Sequence, residues 1–350
     1  MNRNSAIKEQ GKDLYWYDAS KLTIEGKGWA KTESFYDRLP AKAREIVRTP
    51  VWLLSKHSSG ITVHFSTNSP SLSVRWDGFS AMGHMPASGV SGLDLYVRHE
   101  NKWRWLATAV PSGAFNETQP FADLPEKSRD YMLYLPLYNT VHRIELGIPG
   151  KFEMRASPVR TKKPVVFYGT SITQGGCASR PGMCYAAILG RRLDNPVINL
   201  GFSGNGSMDP EVIDLLCELD PAVYVLDNLP NMEEKLINER AESAVRELRA
   251  ARPGAHVVLV DTMFYCDAFL KKNRMDRCIS SNRAQYAVYR KLVKEGLKNL
   301  HYIKDNGLIG TDGEATVDGT HFSDLGYMRF SEKLFPLLKQ LVTGFDVKKK

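Results

Sequence analysis

The stretch VVFYGTSIT, residues 165–173, decides the fold. An unbroken apolar run ends in Gly169 and gives way to Thr170, Ser171 and Thr173, the pattern of a strand buried on both faces that opens into a loop at its carboxyl end. Downstream the same texture returns as VINLG at 197–201, AVYVLDN at 222–228, HVVLVDT at 256–262 and HYIKD at 301–305. Helical patterns over 183–193, 209–218, 233–251, 282–299 and 324–342 separate these runs, with Pro253 and Gly254 closing the third. Strands alternating with longer helices predict an α/β fold with a parallel sheet flanked by helices.

Upstream of the polar stretch Ala156 to Lys163 the rhythm is different. From about 50 to 150, short runs alternate apolar and polar residues between Gly, Pro and Asn. Ile61, Val63 and Phe65 share one face of GITVHFS; Leu72, Val74 and Trp76, then Ile144, Leu146 and Ile148, repeat the pattern. VSGLDLYVRH, KWRWLATAV and DYMLYLPLY supply further strands, so an all-β sandwich or jelly roll is expected ahead of the α/β part. The expected division is 1–158 for the β domain, 159–345 for the α/β domain and 346–350 for a basic tail.

A chain of 350 residues with 43% hydrophobic and 25% charged residues suits a globular protein with room for two domains. No apolar run approaches the roughly 20 residues of a membrane span, and MNRNSAIKEQ lacks the apolar core of a signal peptide. The expected location is the cytoplasm, or outside it for a mature exported form. The net charge of +8 comes from scattered Lys and Arg, and the one dense run, Lys348 to Lys350, reads as a solvated tail. Without a basic face interleaved with aromatic residues, no nucleic-acid partner is expected. Cys177, Cys184, Cys217, Cys266 and Cys278 form no CxxC pair and no zinc spacing. Free thiols are the default; in an exported form, Cys177 with Cys184 or Cys266 with Cys278 would close loops.

Four polar motifs follow predicted strands. Gly169-Thr170-Ser171 ends the first, where open α/β sheets place ligands, although a capping Ser or Thr in an ordinary turn has the same look. Asn199 to Gly206 (NLGFSGNG) ends the second, where glycines let backbone N–H groups face a bound group. It is neither a phosphate loop nor a GxSxG elbow. Asp227 to Asn231 ends the third, and Asn231 offers a side-chain N–H to a developing oxyanion. Asp318-Gly319-Thr320-His321 precedes the last helix, and this spacing lets a carboxylate hold one imidazole nitrogen while the other faces outward as a general base. The pair recurs by chance; its place after the last strand, in order behind three other motifs, lets all four converge at one sheet edge. The other seven histidines have no such company and read as structural or surface groups.

Together these blocks resemble the SGNH hydrolase superfamily, the GDSL esterases, whose name lists a Ser, a Gly, an Asn and a His in that order. Ser171, Gly204, Asn231 and His321 match those positions over about residues 160–345. Thr170 stands where an Asp often precedes the serine, and Met232 where an Asp often follows the asparagine. Gly92-Leu93-Asp94-Leu95-Tyr96 looks like the GxDLY signature of a β-sandwich domain ahead of one SGNH branch. Trp16-Tyr17-Asp18, Arg38-Leu39-Pro40 and Leu135 to Asn139 extend that similarity. The resemblance implies a flavodoxin-like catalytic domain, with catalytic Ser171, Asp318 and His321 and an oxyanion hole of Ser171, Gly204 and Asn231. It further implies no metal or cofactor, and an acetylated carbohydrate as substrate. Competing expectations are a lipase or thioesterase for longer acyl groups, acetyl transfer to an alcohol, and a non-catalytic sugar binder using Trp103 and Trp105, residues that otherwise belong in a core. The loops Gly175 to Cys184 and Met263 to Arg283 are expected to shape the pocket. Oligomeric state has no signature in the sequence.

Overall fold

The computed structural model describes residues 6–347. Lys348 to Lys350, read from sequence as a tail, lie outside the described residues. The chain divides into two compact units. The first takes the chain up to Ala41, Lys56–Thr161 and Ser179–Gly182; the second takes Lys42–Ser55, Lys162–Ala178 and the chain from Met183 onward. A single cut near 158 therefore misses two short exchanges, 42–55 and 179–182.

The first unit is built from Ile7–Lys8 (β1), Tyr15–Asp18 (β2), Thr23–Glu25 (β3), Thr62–Thr67 (β4), Leu72–Asp77 (β5), Leu93–His99 (β6), Lys102–Ala109 (β7), Phe115–Phe121 (β8), Arg129–Tyr134 (β9), Ile144–Ile148 (β10) and Met154–Ala156 (β11). These form two antiparallel sheets, β1-β2-β10-β5-β8 and β11-β4-β9-β6-β7, with β3 added to β4. Period-two patterning explains the arrangement. In β5, Leu72, Val74 and Trp76 are buried while Ser73, Arg75 and Asp77 are half-exposed. The apolar faces meet in one core: Leu146 and Val74 of one sheet join Val63, Leu95 and Leu133 of the other. Phe121 of β8 stacks on Tyr131 of β9 at 5.5 Å, and Phe65 of β4 stacks on the same ring at 5.2 Å. The unit is thus a β-sandwich. Trp105 departs from expectation. It is 52% exposed rather than core, standing on β7 at the edge of its sheet with its indole N–H donating to the buried Asp94 at 3.0 Å.

The second unit opens with Thr49–Ser55 (α1), a helix inside the region read from sequence as strands. Its sheet comprises Val165–Gly169 (β12), Val197–Gly201 (β13), Val223–Asp227 (β14), His256–Val260 (β15) and Leu300–Ile303 (β16), all parallel, in the order β13-β12-β14-β15-β16. β12, β13 and β14 are buried at every residue, which is why they read as continuous apolar runs rather than alternations. Around them, with a short helix Ala87–Val90 (α2) in the first unit, come Ser171–Gln174 (α3), Tyr185–Leu193 (α4), Pro210–Cys217 (α5), Glu234–Ala251 (α6), Lys272–Lys294 (α7) and Asp324–Val347 (α8). α7 starts ten residues before the predicted 282, so 272–283 is helix and the loop after β15 ends at Lys271. Among the described residues no helix is long and apolar enough to cross a membrane.

Candidate active site

The strand order reverses at β12, whose neighbours are β13 on one side and β14 on the other. That topology makes the loops leaving β12, β13 and β14 adjoin at the carboxyl edge of the sheet. The register sharpens this: Gly169 pairs with Gly201 and with Asp227, so the three polar motifs start at one level. Glycine is needed there because α3 tucks between the strands. A Cβ on Gly201 would stand 2.1 Å from the Gln174 nitrogen, and one on Gly169 would stand 2.4 Å from the Asp227 carbonyl.

Thr170 is the N-cap of α3. Its hydroxyl accepts from the Ile172 N–H at 3.3 Å while Thr173 Oγ1 accepts from the Thr170 N–H at 3.2 Å, a capping box. The capping role visible in the sequence therefore falls to Thr170 and Thr173, and Ser171 is the first residue of the helix. Ser171 Oγ lies 2.8 Å from His321 Nε2. His321 Nδ1 lies 2.7 Å from Asp318 Oδ2, while Asp318 Oδ1 accepts the backbone N–H groups of His321 at 2.8 Å and Thr320 at 3.0 Å. Burial alone would raise the Asp318 pKa, but the hydrogen bonds from His321 and Thr320 outweigh it, and the net shift is downward.

The Asp318 turn is closed by a bridge between Thr316 and Phe322 and by the Val317 N–H donating to the His321 carbonyl at 2.8 Å. Gly319 sits at φ +85°, where a side chain would be strained and would meet the Asp267 carboxylate. The loop after β15 supports it from outside: the Cys266 N–H donates to the Gly319 carbonyl at 3.1 Å, and Arg274 at the start of α7 donates to Thr320 Oγ1 at 2.6 Å.

Gly204, at φ +67°, sits at the tip of the loop after β13. This loop is tied to α3 by the Ser203 N–H, which donates to the buried Gln174 Oε1 at 3.1 Å. Asn231 Oδ1 accepts from the Gly206 N–H at 3.1 Å, which commits the oxygen end of this amide to the loop after β13. Of the five residues picked from sequence, Ser171, His321 and Asp318 meet directly, and Asn231 meets the loop that carries Gly204.

Several residues of the site have no sequence signal. Tyr185 of α4 donates to Asp227 Oδ2 at 2.9 Å beneath α3. Burial pushes the Asp227 carboxyl up to about 6, against the hydrogen bonds from Tyr185 and Thr173. The Tyr327 hydroxyl of α8 lies 3.1 Å from the Ile172 carbonyl and 2.8 Å from that of Gly176, fixing the far end of α3. Cys177 is buried beside it at φ +67°, and burial, reinforced by the Asp318 charge, pushes its thiol up to about 12. Among the described residues no two cysteines are joined in a disulfide.

Residues 162–339 match the family model of the GDSL-like lipase/acylhydrolase family, and residues 14–154 match the GxDLY model, described as the N-terminus of SGNH-hydrolase-type esterases. The chain belongs to the GDSL-like lipase/acylhydrolase family. A Bacteroides ovatus protein described as a GDSL-like lipase is 31% identical and superposes with a TM-score of 0.91 over 94% of this chain and 98% of its own. The salicylyl-acyltransferase SsfX3 of a tetracycline biosynthetic pathway shares the fold at 18% identity, with a TM-score of 0.75 over 96% and 97% of the two chains. A family two carbohydrate esterase of Clostridium thermocellum, solved with cellohexaose, shares it at 17% identity and a TM-score of 0.60, covering 81% of this chain and 92% of its own. No curated protein sequence matches the chain.

Proposed function

We propose that the chain is a serine esterase that removes acetyl groups from carbohydrates. The observation that carries this reading is the relay of Ser171 Oγ, 2.8 Å from His321 Nε2, and His321 Nδ1, 2.7 Å from Asp318 Oδ2. A hydroxyl within reach of an imidazole that a carboxylate orients is the arrangement acyl transfer requires. Ser171 Oγ attacks the acetyl carbonyl while His321 Nε2 takes its proton, and the Asp318 carboxylate stabilises the imidazolium. The negative charge that develops on the acyl oxygen is met by the backbone N–H groups of Ser171 and Gly204 and by Asn231 Nδ2, donors worth about 3 kcal/mol each in a transition state. His321 then gives its proton to the departing sugar oxygen, leaving acetyl-Ser171. Water, deprotonated by His321, releases acetate and restores the serine.

The acetyl-sugar substrate class is supported by the sandwich with its GxDLY motif and by the shared fold of the cellohexaose-bound carbohydrate esterase. A second reading, transfer of the acyl group to an alcohol in place of water, draws on the likeness to the salicylyl-acyltransferase. The test is hydrolysis of 4-nitrophenyl acetate by the wild type and by Ser171→Ala, followed by acetate release from acetylated xylan and xyloglucan. Full turnover by Ser171→Ala would sink the nucleophile. Faster turnover of octanoyl than acetyl esters would replace the sugar acetate with a longer acyl substrate. Acylated product formed with an added alcohol, in excess of free acid, would favour the transferase.

A further inference from the structure

We infer that Asn205 and Arg48 are positioning residues that aim the Gly204 backbone N–H at the substrate's acyl oxygen. The inference rests on the reading of Gly204 as an oxyanion donor and extends it to two residues that do not themselves touch substrate. Beyond Gly204 and its two chain neighbours, no heavy atom lies within 4 Å of where a Gly204 Cβ would stand, so that side of the residue is open. Hydrogen bonds hold its peptide. The N–H of Gly204 and the carbonyl of Ser203 belong to one planar peptide and point in opposite directions, so whatever holds the carbonyl also directs the N–H. Asn205 Nδ2 donates to that carbonyl at 2.8 Å. The other end of the same amide, Oδ1, accepts from Arg48 Nη1 at 2.9 Å. The Asn205 N–H returns to the Phe202 carbonyl at 2.8 Å and completes the turn.

Arg48 is itself locked. It immediately precedes α1, and its Nε and Nη2 grip Asp209 Oδ2 at 3.0 and 2.8 Å, while Nη2 also reaches Ser207 Oγ at 3.2 Å. Asp209 is buried, and its second oxygen is taken by Arg240 of α6, which also donates to the Ser207 carbonyl at 2.9 Å. One carboxylate is thus shared by two guanidinium groups. The excess positive charge lies behind a peptide whose N–H faces developing negative charge, and its sign favours the transition state. Residues 42–55 consequently supply the catalytic unit with an anchor for its oxyanion loop.

The test compares Asn205→Ala, Asn205→Asp and Arg48→Ala with the wild type in kcat and KM for 4-nitrophenyl acetate, in the affinity for phenylboronic acid and in thermal unfolding. The boronic acid forms a tetrahedral adduct on a serine oxygen and so reports the oxyanion hole directly. Asn205→Ala is expected to lower kcat roughly 10- to 100-fold with KM within about twofold, and to weaken the boronic acid in proportion. Asn205→Asp keeps an acceptor for Arg48 but has no N–H for Ser203, so it should fall with the alanine variant. Arg48→Ala should move kcat the same way by less; where it unfolds, the two Asn205 variants decide. Wild-type kcat in both Asn205 variants, or a lower kcat with unchanged boronic-acid affinity, overturns the inference. Turnover retained in Ser171→Ala overturns the reading of the site as well; an inactive Ser171→Ala beside unaffected Asn205 variants overturns the positioning role alone.

Discussion

Asp318 holds His321 by two routes, with Oδ2 on the ring nitrogen Nδ1 at 2.7 Å and Oδ1 on the backbone N–H at 2.8 Å. The first contact selects the tautomer that leaves Nε2 able to accept a proton; the second fixes the turn that carries the ring. Asp318→Asn preserves the backbone acceptor if the amide oxygen takes that place, but then presents an N–H to Nδ1 and favours the wrong tautomer. We expect kcat/KM for 4-nitrophenyl acetate to fall roughly 100- to 10,000-fold with little change in thermal unfolding. Activity within a few-fold of wild type would show that Asp318 only shapes the turn.

Asp227 lies under α3, the helix that Ser171 opens, and its burial makes a pH signature. Its carboxyl is raised to about 6 in the folded protein, against about 3.9 in an unfolded chain. Between those values the folded state holds a proton that the unfolded state has lost, so stability falls as pH rises through that window and stays lower above it. Asp227→Asn keeps an oxygen to accept from Tyr185 and removes the ionisation. In urea unfolding, the stability of this variant relative to wild type should rise by roughly 1 to 3 kcal/mol between pH 4 and pH 8. A difference independent of pH would mean the carboxyl titrates normally.

Sequence and structure part company where partners are distant along the chain. Ser171, Gly204 and Asn231 were legible because each follows an apolar strand, and the pairing of Gly169 with Gly201 and Asp227 brings those strand ends level. Arg48 was not, since its partners Asn205 and Asp209 stand 157 and 161 positions away and nothing around it announces a contact. The start of α7 escaped notice because KNRMDRCIS has no apolar stripe; Cys278 is the first buried residue of that helix, and paired charges such as Lys272 with Asp276 cover its outer side. Trp105 was misplaced for a different reason. Apolar bulk predicts burial, but Trp105 stands on an edge strand, and its indole N–H reaches a buried carboxylate from there.

That carboxylate, Asp94, gives the GxDLY motif a physical content that can be tested. Gly92 has no room for a Cβ, which would lie 2.5 Å from the Ser88 carbonyl. Asp94 is fully buried, and its Oδ2 accepts from Arg180 Nη1 at 2.6 Å and the Gly182 N–H at 2.9 Å; its Oδ1 accepts from Trp105 at 3.0 Å and Thr108 Oγ1 at 3.2 Å. The Tyr96 hydroxyl accepts from the same Arg180 nitrogen at 2.6 Å, and its ring leaves no space for a side chain at 182. Asp94→Ala strips a half-buried guanidinium and a buried N–H of an acceptor at once, a loss of roughly 2 to 4 kcal/mol. Asp94→Asn keeps one acceptor oxygen and should cost less, while Gly182→Ala should destabilise by crowding both the Tyr96 ring and the Asp94 carboxylate. Urea unfolding of the three variants ranks them. If Asp94→Ala were as stable as wild type, Asp94 would be a passenger in the motif, and the segment 179–182 would be held by packing instead of by its hydrogen bonds.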